Sequence, residues 1–263
     1  MLGVRKIYFI LLLVMMTCIG CEWHLRKNQE TADPTVAIDR YDRIEALYLT
    51  TGDVAALHQM NTDYPDQTRT LIEDLLQLGH VNDSDINVRF LQFFKDTTLQ
   101  RLLVDVTVAY EDVSDLDQEL SASFGRLQEL LPQIQVPRVY TQIGSLDQSI
   151  VVGEGVLGIS LDKYLGCEYP VYLKYGYSER QRSTMTRSYI VPDCLGFYLL
   201  SYYPIPQGAS PDEIDEHMGR IKCVVNEAVG REVFTDDAVK KAERILKKHS
   251  LDSVEQFLKG QLN

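Results

Sequence analysis

The sequence predicts an α+β fold, a predominantly helical single domain with a small antiparallel three-stranded meander. From Asp53 to Leu131 apolar residues recur every three or four positions, the period of helices that bury one face. After Pro132 and Pro137 the pattern changes to short β-like runs, with Gly153-Glu154-Gly155 as the clearest hairpin signal. A second helical set begins at Ile190, and helices on both sides of a small sheet fit one domain better than two.

The elements follow in order. Leu71, Ile72, Leu75 and Leu76 make an apolar face after Pro65 that stops at Gly79. Ile86, Phe90, Phe93 and Phe94 make the next. Leu99, Leu102, Leu103, Val106 and Tyr110 form a third stripe behind a cap at Asp96 or Thr97. Val113, Leu116, Leu120, Phe124, Leu127 and Leu131 form the longest. Arg138 to Ile143, Ser149 to Gly153 and Val156 to Leu161 read as the three strands. Ile190 to Tyr203 reads as a helix, preceded in the chain by a turn-rich stretch dense in tyrosine. Ser210, Pro211, Asp212 and Glu213 spell a capping box with proline in the first helical position, and Gly230 ends that helix. Thr235 caps a further helix with Ala238, Ala242, Ile245 and Leu246 inward, and Leu251, Val254 and Leu258 mark a short closing segment.

The amino terminus carries an address. Arg5 and Lys6 precede an apolar stretch from Ile7 to Ile19, ending on Gly20 and Cys21, the layout of a removable signal peptide. A small residue before cysteine resembles a bacterial lipoprotein cleavage box, so residues 1–20 are expected to be removed and Cys21 acylated. Residues 21–38 then read as a lipid-anchored tether without period, and 39–263 as the folded domain. With 26 Lys and Arg against 38 Asp and Glu, the net charge of −12 disfavours nucleic acid and anionic headgroups. Membrane attachment is therefore expected through acyl chains on Cys21, two such anchors being needed for a lasting hold.

The mature chain keeps Cys167, Cys194 and Cys223, an odd number with no CxxC or CxxH spacing, which suits small buried hydrophobes better than zinc ligands. If any bridge forms, Cys167 with Cys194 is the expected pair. No cofactor, metal site or catalytic residue is nominated. Asp83, Asp85 and Asn87 open like a calcium loop, but Val88 and Phe94 occupy the positions that need glycine and glutamate. No GxSxG, Walker or dinucleotide glycine motif occurs. His217 lies near the border of the capped helix's apolar face, but no second histidine accompanies it, and a hydrogen-bonded helix-border histidine is the commoner case. Tyr172, Tyr175, Tyr177 and Arg180, in a region rich in tyrosine and basic residues, are the candidate partner or glycan surface. A loop burying its tyrosine rings is the competing account.

Several stretches together resemble the gliding motility lipoprotein family GldB of a Gram-negative phylum. They are RYDRIEALYL from Arg40, FFKDTTLQRL from Phe93, VPRVYTQIGSLDQSIVVGEGVLGISLDKYLGCEYP from Val136, IVPDCLGFYLLSYYP from Ile190 and HMGRIKCVVNEAVG from His217. The resemblance implies an envelope lipoprotein that supports assembly or operation of a motility or envelope apparatus without catalysis, with envelope protein partners. It implies lipidation at Cys21. Glu22 follows Cys21, but Trp23 and His24 do not continue an acidic run of the kind associated with surface export, so an outer-membrane location facing the periplasm is expected. The family is distantly similar to predicted zinc-dependent peptidases, a remote zincin-like relationship, so a divergent peptidase or glycan-active hydrolase stands as the alternative. A glycan-binding lipoprotein is the second alternative.

Overall fold

The computed structural model describes residues 35–249 and 254–262. The signal peptide, Cys21 and most of the expected tether lie outside the described residues. The last residues of the stretch expected to be a tether pack against the domain. Val36 and Ile38 are buried, and their backbone N–H groups donate to Ser121 Oγ and Asp117 Oδ1, both at 2.9 Å. Ile38–Asp39 forms strand β1.

Helix α1, Tyr41–Thr51, has no counterpart in the sequence expectations. Its inward face includes Asp42 and Glu45 beside Tyr41, Ala46, Tyr48 and Leu49, so buried acids interrupt the apolar period that marks a helix. It ends at Gly52, whose φ of 72° is the left-handed conformation that glycine adopts at low cost. Asp53 caps α2, Val54–Thr62, by accepting from Ala55 N–H at 2.7 Å and Ala56 N–H at 3.0 Å. Pro65 opens α3, Pro65–Arg69, which widens into a π-helical stretch over Thr70–Leu75.

Helices α4 (Ile86–Phe93), α5 (Thr97–Ala109) and α6 (Ser114–Leu130) bury the stripes read from the sequence. The cap of α5 is Asp96, accepting from Thr98 N–H at 2.8 Å and Leu99 N–H at 3.2 Å. Asp83 and Asp85 pair with Arg89, at 2.9 and 2.5 Å, which accounts for the resemblance to a calcium loop.

The sheet departs from the expected meander. Strands β2 (Arg138–Gln142), β3 (Ile150–Gly153) and β4 (Val156–Ser160) join β1 in a four-stranded mixed sheet of order β1-β2-β4-β3. The Gly153–Val156 turn makes β3 and β4 antiparallel as expected, but β2 runs parallel to both β1 and β4. Two causes are visible. The connection over residues 143–149 lets the hairpin slot in with β4 against β2. Gly158 then accepts the buried Tyr140 ring, since a Cβ there would lie 2.5 Å from a ring carbon. With α1 and α9 packing on it, the sheet is largely covered, as parallel pairs usually are.

After β4 come a 3₁₀ turn at Leu161–Lys163, α7 (Pro170–Lys174) and α8 (Glu179–Arg182). Helix α9 (Ile190–Tyr202) packs against β3, β4 and α6, and is apolar on most sides. Helix α10 (Pro211–Val229) has the capping box foreseen at Ser210 and Glu213, and Gly230 closes it at φ 74°. Helix α11 (Asp237–Leu246) is capped by Asp236 rather than Thr235, and α12 (Val254–Leu258) completes the chain. Among the described residues no helix is long and apolar enough to cross a membrane.

Candidate functional site

The segment that leaves β4 builds a cleft. Asp162 is buried, and its carboxylate accepts Gly144 N–H at 2.8 Å and Leu146 N–H at 2.5 Å. Those two bonds hold the β2–β3 connection in a shape that puts Ser145 and Leu146 in the left-handed region, at φ 56° and 66°. Adjacent non-glycine residues in that conformation cost of order 1–2 kcal/mol each and persist only where the surroundings fix them. The next residue, Lys163, donates from Nζ to Leu146 O at 3.2 Å and to the Tyr177 hydroxyl at 3.0 Å, with the ammonium 4.7 Å from the Tyr177 ring centroid. Tyr177 also donates its own hydroxyl to Leu146 O at 2.9 Å. Strand exit, left-handed loop and tyrosine-rich segment are thereby tied to one carbonyl.

The facing wall is the first turn of α9. Asp193 Oδ2 accepts the Tyr164 hydroxyl at 2.8 Å, and burial pushes the Asp193 carboxyl up to about 6. Together Ser149, Lys163, Tyr164, Tyr177, Gln181, Thr184, Met185 and Asp193 line a cleft of about 180 Å³. It joins a charged acid and a charged base with hydroxyl and amide groups, the makings of polar recognition.

A second polar feature lies behind it. Asp42 is held by two bonds from the Arg40 guanidinium at 2.8 Å and one from the Thr141 hydroxyl. Glu45 Oε2 accepts Ile143 N–H at 2.9 Å, whereas its Oε1, Gln142 Oε1 and the Tyr41 hydroxyl are buried without partners among the described residues. Burial, with Asp162 and Asp42 close by, pushes the Glu45 carboxyl well above the usual carboxylate range. Burial raises the Asp162 carboxyl as well, opposed by the N–H donors of Gly144 and Leu146.

The residues singled out from sequence separate. Tyr177 reaches the cleft. Tyr172 does not belong to an exposed surface: it is fully buried, donating to Asp162 O at 2.6 Å and accepting Leu165 N–H at 2.8 Å, and so braces the cleft from behind. Tyr175 and Arg180 are exposed outside it. Asp162, Lys163 and Asp193 went unrecognised as a group. The one available signal was Asp193, an acid in the first turn of an otherwise apolar helix.

Among the described residues Cys167, Cys194 and Cys223 are free thiols, with Cys194 and Cys223 buried as small hydrophobes and no bridge between Cys167 and Cys194. His217 is buried and its Nε2 lies 2.8 Å from Tyr203 O, a structural hydrogen bond at a helix border. Among the described residues no group of three or more His, Cys, Asp or Glu side chains is arranged to hold a metal ion. Three surface acids have structural partners. Asp115 pairs with Arg187 and Glu119 with Arg231, while Glu213 serves its capping box.

No curated protein and no solved structure matches the chain. The sequence model for the gliding motility protein GldB matches residues 23–217, most of the chain and all of the cleft. That match includes the central LGISLDKYLG stretch, and the chain belongs to the GldB family of gliding motility proteins.

Proposed function

We propose that this protein is a lipid-anchored, non-catalytic component of the cell envelope. Acyl chains on Cys21 hold it at the outer membrane facing the periplasm, where it supports the assembly or operation of a motility or envelope apparatus. The family match over residues 23–217 carries this reading. The Gly20–Cys21 cleavage box supports the anchor, and the acidic surface, net −12, supports a protein partner over nucleic acid. Tyr175, about half exposed at the end of α7, and Arg180, exposed in α8, are with Tyr177 our candidates for partner contact. The ion pairs and capping roles of the surface acids give them structural tasks and support the absence of catalysis.

The test is affinity capture from detergent-solubilised membranes of the native host, with the Cys21 tether intact. A reproducible envelope partner, lost on Tyr175→Ala with Arg180→Ala, is expected. A protein that always emerges alone, or that hydrolyses peptides or glycans in a broad digestion screen, would contradict the proposal.

A further inference from the structure

We propose that the cleft between Lys163 and Asp193 is a binding site for an α-amino acid zwitterion, its ammonium held by Asp193 and its carboxylate by Lys163. The proposal goes beyond the envelope role and does not depend on acylation or on a protein partner.

Unused bonding capacity is the first observation. Asp193 Oδ2 is occupied by the Tyr164 hydroxyl, whereas Oδ1 has no hydrogen-bond partner among the described residues. Lys163 spends two of its three N–H donors, on Leu146 O and the Tyr177 hydroxyl, and has no carboxylate partner among the described residues. Opposite charges thus line one cleft without forming an ion pair with each other. A ligand carrying both charges on one α-carbon would complete each of them. A simple amine or a simple carboxylate would complete only one.

Size and shape restrict the ligand further. A cleft of about 180 Å³ suits a ligand of few heavy atoms, such as an amino acid with a small side chain. Ser149, Gln181 and Thr184 supply neutral polar contacts at the walls, and Met185 offers an apolar, adaptable surface for a short side chain. The walls are also held in place before any ligand arrives. Leu146 O, which orients Lys163, is fixed by the Asp162 bonds to the left-handed loop, and Tyr164 fixes Asp193. Charge-assisted bonds in a partly desolvated, preorganised cleft are stronger than the same bonds in water.

The same α-ammonium chemistry belongs to a free amino acid and to the amino terminus of a peptide. Isothermal titration of the full mature protein in detergent distinguishes them, using glycine, L-alanine and L-serine, then L-alanyl-L-alanine, with ethylamine and acetate as single-charge probes. Saturable binding of an amino acid, tighter than either single-charge probe, is expected. A preference for the dipeptide, in which an uncharged amide replaces the α-carboxylate, would overturn the pairing of Lys163 with that carboxylate. Asp193→Asn and Lys163→Met should each weaken binding by at least about tenfold, the loss expected for one charge-assisted hydrogen bond. Thr184→Trp, at an exposed rim position, should abolish it by filling the cleft while leaving the melting temperature unchanged, so the result stands even if a charge variant folds poorly. The proposal is overturned if no zwitterion binds better than ethylamine or acetate, or if folded Thr184→Trp binds as the wild type does.

Discussion

Replacing Asp162 tests whether the cleft is held by one buried carboxylate. In Asp162→Ala the N–H groups of Gly144 and Leu146 lose their acceptors in a buried setting. An unsatisfied buried backbone group costs about 1–3 kcal/mol, so the two together cost about 2–6 kcal/mol. Two effects offset part of this. The Ser145–Leu146 pair is released from its left-handed conformation, and the folded state no longer bears the cost of burying Asp162, whose carboxyl is raised by that burial. A net loss of about 2–3 kcal/mol is expected, which at about 2–4 °C per kcal/mol for a domain of this size lowers Tm by roughly 4–12 °C. Asp162→Asn keeps one acceptor oxygen and should fall between the two. Urea and thermal melts give the energies, and amide hydrogen exchange at Gly144 and Leu146 reports the loop directly, since local opening rather than global unfolding then governs their exchange. A variant Asp162→Ala that melts within about 1 °C of the wild type with both amides still protected would refute the role assigned to this carboxylate.

Glu45 gives a pH prediction. Its carboxyl is raised well above the unfolded value by burial, so the folded state keeps a proton that the unfolded chain releases above about pH 4.3. Stability contributed at this site is therefore intact at low pH and falls as pH rises, by about 1.4 kcal/mol per unit until the folded group ionises. Glu45→Gln removes this slope, so its advantage over the wild type should grow across melts at pH 5, 6, 7 and 8; parallel curves would contradict a buried neutral Glu45. Gly219→Ala should cost about 1–3 kcal/mol by overpacking, because a Cβ there would lie 2.6 Å from the Ala238 carbonyl oxygen where α10 meets α11. Unchanged urea melts would show that the two helices separate freely. In native protein a thiol reagent should modify Cys167 well before Cys194 and Cys223. Those two are buried, and burial pushes the Cys223 thiol up to about 12, so mass mapping of equal modification at all three would contradict the packing.

Local chemistry made much of this fold legible in the sequence. Capping at Asp96 and Ser210, the Gly230 stop and the turn at Glu154-Gly155 each announce themselves within a few residues, and the stripes of α5 and α6 need only one period. Helix α1 was hidden because Asp42 and Glu45 take positions where a periodic pattern expects apolar side chains. The parallel β2–β4 pairing was hidden because strand order depends on contacts such as Tyr140 over Gly158, distant in the chain. In the tyrosine-rich stretch, Tyr172 and Tyr175 have the same chemistry and nearly the same place, yet the end of α7 between them leaves one buried and the other exposed. The cleft was illegible for a similar reason. Ser149 in the β2–β3 connection, Lys163 after β4 and Asp193 in α9 lie far apart in the chain, and only the folded sheet with α9 against it brings them together.

The proposal that Cys21 ties this domain to the envelope is tested most directly by intact-mass spectrometry of the protein purified from its native host. The account predicts a chain starting at Cys21 with a lipid-sized mass increment on that residue, and recovery in the outer-membrane fraction that is lost in Cys21→Ala. A chain starting elsewhere, or an unmodified Cys21 in a freely soluble protein, would contradict it.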